Sequence, residues 1–250
     1  MALSIAAERG SIVNIKSLVL CFIVAIILRA GTLSAQTISD LYDTGVGNNG
    51  VSLPDGTTPD PHYTIVAGSD GSIASPVAVK TSASGLQDGP GGWNADSSTS
   101  AWIMPLSGYP GGLSNAGYYD YLTTFSLPSN ASSVTISANM AVDNYETGVL
   151  LNGSSVGVPQ LTGDGFNFLV YTPISFTSDD VVGGINSLVI QTYNTPPPYT
   201  DNSAGLRIDG ITGTYTVVPE PASIGMFGFA LLLLSSRRHT TRTTVLIPKS

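Results

Sequence analysis

The sequence predicts an all-β fold, a β-sandwich or jelly roll, flanked by an N-terminal signal helix and a C-terminal transmembrane helix. Three observations predict it. Clusters of Gly, Pro, Asn and Asp recur at intervals of roughly 8–15 residues between runs of β-branched and aromatic side chains, the pattern of short strands joined by turns. No segment of helical length between positions 36 and 217 repeats its apolar residues with a 3.6-residue period. Only 10% of the 250 residues are charged, while Gly (28) and Pro (16) are plentiful, and long helices need the Glu, Lys, Ala and Leu that such a composition lacks.

In chain order, the strand candidates are 63–67, 76–80, 101–104, 118–127, 133–140, 148–151, 166–176, 187–193 and 206–217. Val134-Thr135-Ile136-Ser137-Ala138 alternates apolar with small polar residues, as a strand with one buried face should. Asn152-Gly153 after Val149-Leu150-Leu151 is a hairpin signal, because both residues tolerate positive φ. Residues 88–92 (DGPGG) and 109–112 (YPGG) read as loops, and so does 195–198, whose three prolines exclude a central strand. Residues 36–62, rich in Gly, Asn and Asp, read as a lead-in segment before a β-sandwich domain over 63–217.

The two ends differ in character from the middle. Residues 17–28 (SLVLCFIVAIIL) follow Arg9 and Lys16. Twelve residues at about 1.5 Å per residue cannot cross a hydrocarbon core of roughly 30 Å, but they suit the apolar region of a secretion signal. The small residues around Ala35 place cleavage there, giving a signal peptide over 1–35. An uncleaved anchor is the competing reading, favoured by Arg29 and Leu33. Cys21, the only cysteine, lies inside the apolar run, so the region after it has no disulfide and no thiolate metal site. At the other end, over 218–250, Pro219, Glu220 and Pro221 precede an apolar helix expected at 222–236 and a basic stop over 237–242 that begins with Arg237 and Arg238. The prolines hold an extended segment before the membrane, and the arginines stay on its cytoplasmic side, so the main domain lies outside.

Pro219-Glu220-Pro221, the apolar run and Arg237-Arg238, in that order, resemble a PEP-CTERM sorting signal, the tail recognised by exosortase-type membrane peptidases of Gram-negative bacteria. The resemblance covers about 20 residues. It implies export by the secretion machinery, transient anchoring in the inner membrane, and removal of the tail near the Pro-Glu-Pro element. Delivery to the cell surface or an exopolysaccharide matrix would follow. Two features depart from the pattern: the apolar run has 15 residues, about 22 Å as a helix, and residues 240–250 continue past the basic stop. An ordinary C-terminal anchor is the competing reading.

A second resemblance runs from Trp93 to Tyr215. Tyr119-Asp120-Tyr121, Thr124-Phe125-Ser126-Leu127-Pro128, Asp143-Asn144, Val149-Leu150-Leu151-Asn152-Gly153, Gly184-Ile185-Asn186-Ser187-Leu188 and Gly205-Leu206-Arg207-Ile208 follow an order similar to that of galactose-binding-like jelly rolls in exported bacterial proteins. That resemblance implies loops at one end of the sandwich that bind carbohydrate, and a structural calcium. Folds host many functions, so the residues themselves must carry any assignment.

Between positions 36 and 221, sixteen acidic residues accompany only Lys80 and Arg207, a net charge of −14. Such a surface repels a phosphate backbone, which excludes nucleic acid as a partner. His62 is the only histidine in that region, and a lone histidine lacks the partners that give it a catalytic role, so no catalytic residue is assigned. Hard cations favour clustered oxygens, which makes Asp143, Asn144 and Glu146 candidate Ca2+ ligands, with solvated acidic turns as the plainer alternative. Asp179 and Asp180 form a second acidic pair. Trp93 and Tyr109 beside Gly-rich loops, and Tyr199 after the proline run, are candidate platforms for sugar rings. Trp102 is expected in the core, Tyr119 and Tyr121 on one face of a strand, and ordinary packing competes with a ligand role for every aromatic. The functional expectation is an exported, non-catalytic surface or matrix protein that binds polysaccharide. An exported polysaccharide hydrolase and a purely structural envelope protein are the alternatives.

Overall fold

In the computed structural model the described residues are 34–54, 58–68, 76–79, 93–105, 116–161, 167–196 and 204–218. The signal segment, Lys80, the 88–92 and 109–112 loops, Tyr109, Tyr199 and the sorting motif with Pro219, Glu220, Pro221, Arg237 and Arg238 lie outside them.

Strand alternation explains the architecture. Along β6 (Ala131–Asp143), Val134, Ile136, Ala138 and Met140 are buried, whereas Thr135 and Asn139 between them are exposed. β5 (Gly117–Leu127) buries Tyr119, Tyr121, Thr123, Phe125 and Leu127. β10 (Gly184–Asn194) buries Asn186, Leu188, Ile190, Thr192 and Asn194. Each strand therefore has one face that must be covered, and two sheets stacked face to face cover both.

The first sheet runs β3 (Val77–Val79), β4 (Trp102–Met104), β11 (Gly205–Val217), β6 and β9 (Thr172–Ser178), with β1 (Gln36–Thr37) also paired to β11. The second runs β2 (Thr64–Gly68), β5, β10, β7 (Tyr145–Leu151) and β8 (Ser154–Ser155). All pairings are antiparallel. The core between the sheets joins Ile136, Met140, Val142, Phe176, Leu206 and Ile208 of the first to Ile65, Tyr121, Phe125, Leu151, Leu188 and Ile190 of the second.

A second, smaller core covers the outer face of the first sheet. Val77, Trp102, Met104 and Ala141 meet Trp93 and Phe168 there, with Tyr171 packed against them. Trp102 is fully buried, as its strand predicts. Gly205 makes room for this layer: a Cβ on it would stand 2.6 Å from Cη2 of Trp93 and 3.1 Å from Cε3 of Trp102.

Every strand candidate contains a strand, with three differences of substance. The 166–176 candidate begins late, at Thr172, and runs on to Ser178. Its earlier residues 167–171 are irregular because Phe168 leaves the sheet to seal the outer core. β1 and β8, two residues each, carry no sequence signal of their own. The 36–62 segment is built into the same compact unit, Ser34–Val218. Ile38 is buried in the main core with Leu41 against it, and both fill the space a side chain at Gly213 would need: its Cβ would fall 2.8 Å and 2.6 Å from them.

The expected hairpin is present. Asn152 (φ 50°) and Gly153 (φ 86°) connect β7 to β8, both in the left-handed region. Only Asn144 separates β6 from β7, so the chain passes from one sheet to the other in one residue. The antiparallel registers bring the starts of β5, β7, β9 and β11 and the end of β10 to that same end of the sandwich.

Candidate functional site

The residues expected to bind ligand divide three ways. Tyr109 and Tyr199 lie outside the described residues. Trp93 is no exposed platform. It is 5% exposed, tilted against Trp102 with ring centroids 4.3 Å apart, and its indole N–H donates to Asp143 Oδ2 at 2.8 Å. The aromatic layer on the first sheet uses it as a lid, because a ring beside an apolar strand gains more from burial than from exposure.

Asp143, Asn144 and Glu146 do not form a solvated acidic turn, because Asp143 and Glu146 are buried. Asp143 ends β6 and accepts hydrogen bonds from Trp93 and from Asn144 Nδ2. Asn144 Oδ1 accepts from the Thr195 amide and hydroxyl, both at 2.9 Å, and its carbonyl accepts from Asn167 Nδ2. Glu146 lies in β7 with no exposed surface. Its Oε2 accepts from the Leu161 N–H at 3.2 Å, and its own N–H donates back to the Leu161 carbonyl at 3.2 Å. Burial pushes its carboxyl up to about 6 against the lowering effect of the Leu161 hydrogen bond, and Oε1 has no hydrogen-bond partner. Protein donors thus hold Asp143 and Asn144, and Glu146 clamps the chain at Leu161. Among the described residues no group of three or more His, Cys, Asp or Glu could hold a metal ion.

His62 stacks on Tyr42 with centroids 3.6 Å apart and planes 6° from parallel. The neighbouring carboxylate, Asp60, is fully buried and accepts from the Gly45, His62 and Tyr63 amides at 2.7, 2.7 and 3.2 Å. Burial raises its pKa despite those three donors. These groups serve the fold.

The side chains that do face solvent together lie on the outer face of the second sheet. The register pairs Tyr193 with Tyr118 on one side and with Tyr145 on the other, so three tyrosines from β5, β10 and β7 form one row across the strands. Tyr118 is 59% exposed and packs on Tyr193 with centroids 4.8 Å apart and planes at 54°. Sequence inspection passed over Tyr193, and only the register unites it with the others. Beside the row lies a polar pair: Gln191 Nε2 donates to both oxygens of Asp120, at 3.3 and 3.2 Å.

A bulge builds this strip. The β7–β10 register shifts between Gln191 and Thr192, which leaves Thr147 unpaired in the ladder. Glu146 consequently sits opposite Thr192, facing inward, while Gly148 sits opposite Gln191 on the outer face. The Thr147 hydroxyl donates to the Gln191 carbonyl at 3.3 Å, and Gln160 Nε2 donates to the Thr147 carbonyl at 2.8 Å. A Cβ on Gly148 would lie 2.9 Å from Gln191 Oε1, so the glycine gives the amide its place. Leu122, Val189 and Leu150, in register and half-buried, flank the strip on the far side. The surface can offer aromatic faces, hydroxyls, an amide and a carboxylate to a flat, hydroxylated ligand.

No protein-family profile and no curated protein matches the chain. Among solved structures it is similar to a family 35 carbohydrate binding module from Clostridium thermocellum, at 12% identity over 56% of this chain and 98% of that one, with a TM-score of 0.29. It is likewise similar to a family 35 module from Cellvibrio japonicus Abf62, at 12% identity over 71% and 96%, TM-score 0.29. A third is the module CsCBM6-3 from Clostridium stercorarium in complex with cellobiose, at 15% identity over 74% and 94%, TM-score 0.25. Likenesses this slight carry no functional argument. The all-β sandwich rests on the chain's own sheets.

Proposed function

We propose that the chain is an exported, non-catalytic β-sandwich protein that binds carbohydrate on the tyrosine row of its second sheet. One observation carries the reading: Tyr118, Tyr193 and Tyr145 stand in register on one face beside the Asp120–Gln191 pair. Tyrosine rings bury area against apolar sugar faces at small entropy cost, and adjacent acceptors bind the hydroxyls at a ring's edge. A binding role without turnover is supported by the fate of the buried carboxylates. Asp60, Asp143 and Glu146 each accept hydrogen bonds from the protein itself and hold the structure.

The test is affinity electrophoresis of the purified chain through gels containing soluble polysaccharides, paired with a reducing-sugar assay. Wild type is retarded by at least one polymer and releases no sugar. Tyr118→Ala, at a 59% exposed position, folds as wild type and loses roughly tenfold or more in affinity. Equal retardation of wild type and variant would reject the row as the site, and released sugar would reject the non-catalytic reading.

The route of export belongs to the same proposal. Pro219-Glu220-Pro221, the apolar run and Arg237-Arg238 support processing by an exosortase-type peptidase after secretion and transient membrane anchoring, with delivery to the cell surface or extracellular matrix. Among the described residues no helix is long and apolar enough to cross a membrane, and the tail lies outside that set. Mass spectrometry of the surface-released protein tests the route: a mature chain that begins near Gln36 and ends near Pro219 is expected. A released chain that retains residues 222–250 overturns it.

A further inference from the structure

From the placement of Asp120 and Gln191 beside the tyrosine row, we infer that the site takes a neutral polysaccharide chain and rejects polymers that carry carboxylate or sulfate groups. The inference rests on the carbohydrate-binding reading above and names its ligand class.

The polar strip presents acceptors. A carboxylate has room for about four hydrogen bonds, and Asp120 receives the Gln191 amide on its two oxygens. Gln191 turns its Oε1 over Gly148, toward the open side of β7. Sugar hydroxyls can donate to both groups. A uronate or sulfate offers only acceptors at its charged end and meets a carboxylate of like sign. Two like charges in contact repel, and more strongly beside a protein surface than in bulk water.

Among the described residues no exposed counter-cation stands by to reverse the sign. From Ser34 to Val218 the only basic residues are Lys80 and Arg207, against fifteen acidic ones. Arg207 is 1% exposed and lies in the other sheet. There it donates to the carbonyls of Asn94 and Ala95 and to Ser100, and pairs with Asp96 at 3.7 Å. Among the described residues, then, no exposed Lys or Arg can hold an acidic sugar.

The row also sets a size. Tyr118 to Tyr145 spans two inter-strand steps, about 10 Å, which is longer than one pyranose ring. The row therefore suits two or more linked rings laid across the strands rather than a single monosaccharide.

The experiment runs the full chain against two sets of polymers in calcium-containing buffer of moderate ionic strength: neutral glucan, xylan and mannan, and acidic alginate, polygalacturonate and a sulfated galactan. Wild type is expected to bind at least one neutral polymer at least tenfold more tightly than any acidic one, with that affinity lost in Tyr118→Ala. Monosaccharides are expected to compete weakly. Binding of an acidic polymer that Tyr118→Ala abolishes overturns the ligand class while leaving the site standing. Absence of binding to both sets, or binding that Tyr118→Ala and Tyr193→Ala leave intact, removes the site and this inference with it. Tyr118→Phe, which keeps the ring, separates loss of the stacking face from loss of the fold.

Discussion

Arg207 shows how a single side chain decides local architecture. It occupies the outer face of β11 with 1% of its surface exposed, among the small aromatic core. Its Nη1 donates to the carbonyls of Asn94 and Ala95, Nη2 and Nε reach Ser100 Oγ at 2.9 and 3.2 Å, and the guanidinium lies 5.3 Å over the Tyr171 ring. The segment from Asn94 to Ser100 has no strand partner of its own, so the planar fork supplies the donors its carbonyls lack. Ser100 in turn donates to Asp209, which ties the same segment to β11 a second time. Arg207→Ala removes several donors at once and breaks the ion pair between Arg207 and Asp96. A loss of about 3–5 kcal/mol in urea unfolding is expected. Arg207→Lys recovers little of it, because one ammonium cannot face three acceptor groups on two sides. A lysine variant as stable as wild type would show that charge alone matters here. In the sequence Arg207 stands out as one of two basic residues between positions 36 and 221, but nothing there marks it as buried. Its importance comes from the loop that folds over it, and loops carry the weakest sequence signal.

At the scale of the element, the Asn152-Gly153 turn does more than close a hairpin. Asn152 Nδ2 donates to the Asp180 carbonyl and to Asn186 Oδ1, both at 2.8 Å, and its Oδ1 accepts from the Ser187 amide. Asn186, fully buried, donates to the carbonyls of Val182 and Gly184 and accepts from the Val182 amide. The two asparagines thus lock the β7–β8 hairpin to the β9–β10 connection. Asn152→Ala keeps the turn's length but loses these bonds, and it places a residue that resists positive φ at 50°. Destabilisation of about 2–3 kcal/mol is expected by thermal or urea unfolding, and Asn152→Gly, which restores only the backbone freedom, should recover a minor part. A glycine variant that matched wild type would assign the whole effect to φ. The turn was legible because Asn-Gly after three apolar residues is local chemistry. So were nine strand segments, whose alternation is also local. The tyrosine row was not: it needs Tyr118, Tyr193 and Tyr145 brought together by two strand registers and a bulge at Thr147, none of which is written in neighbouring residues. Trp93 misled for the same reason, since its Gly-rich surroundings read as an exposed loop while tertiary packing put it over Trp102.

For the whole molecule, buried acids set the response to pH. Burial raises the carboxyls of Glu146, Asp60 and Asp43, each against hydrogen bonds that lower them, and Glu146 reaches about 6 from 4.5. The folded chain therefore holds these protons more tightly than the unfolded chain does. The stability such a group adds is complete below its unfolded pKa and disappears as pH rises through its folded one. For Glu146 that window runs from 4.5 to about 6, and its width corresponds to roughly 2 kcal/mol. The excess of fifteen acids over two bases from Ser34 to Val218 acts in the same direction, because deprotonation adds self-repulsion to the compact state. The domain should melt at a higher temperature near pH 5 than near pH 7.5. In Glu146→Gln the window closes: the variant's stability relative to wild type should rise by roughly 2 kcal/mol between pH 4 and pH 7, while Asp60 and Asp43 keep part of the remaining slope. The Gln carbonyl can still accept the Leu161 N–H, so the clamp on that segment survives and the comparison isolates the charge. Urea midpoints of both proteins across that range supply the measurement. Parallel curves for variant and wild type would mean that Glu146 ionises as freely in the fold as outside it, and that the acid-favoured stability has another source.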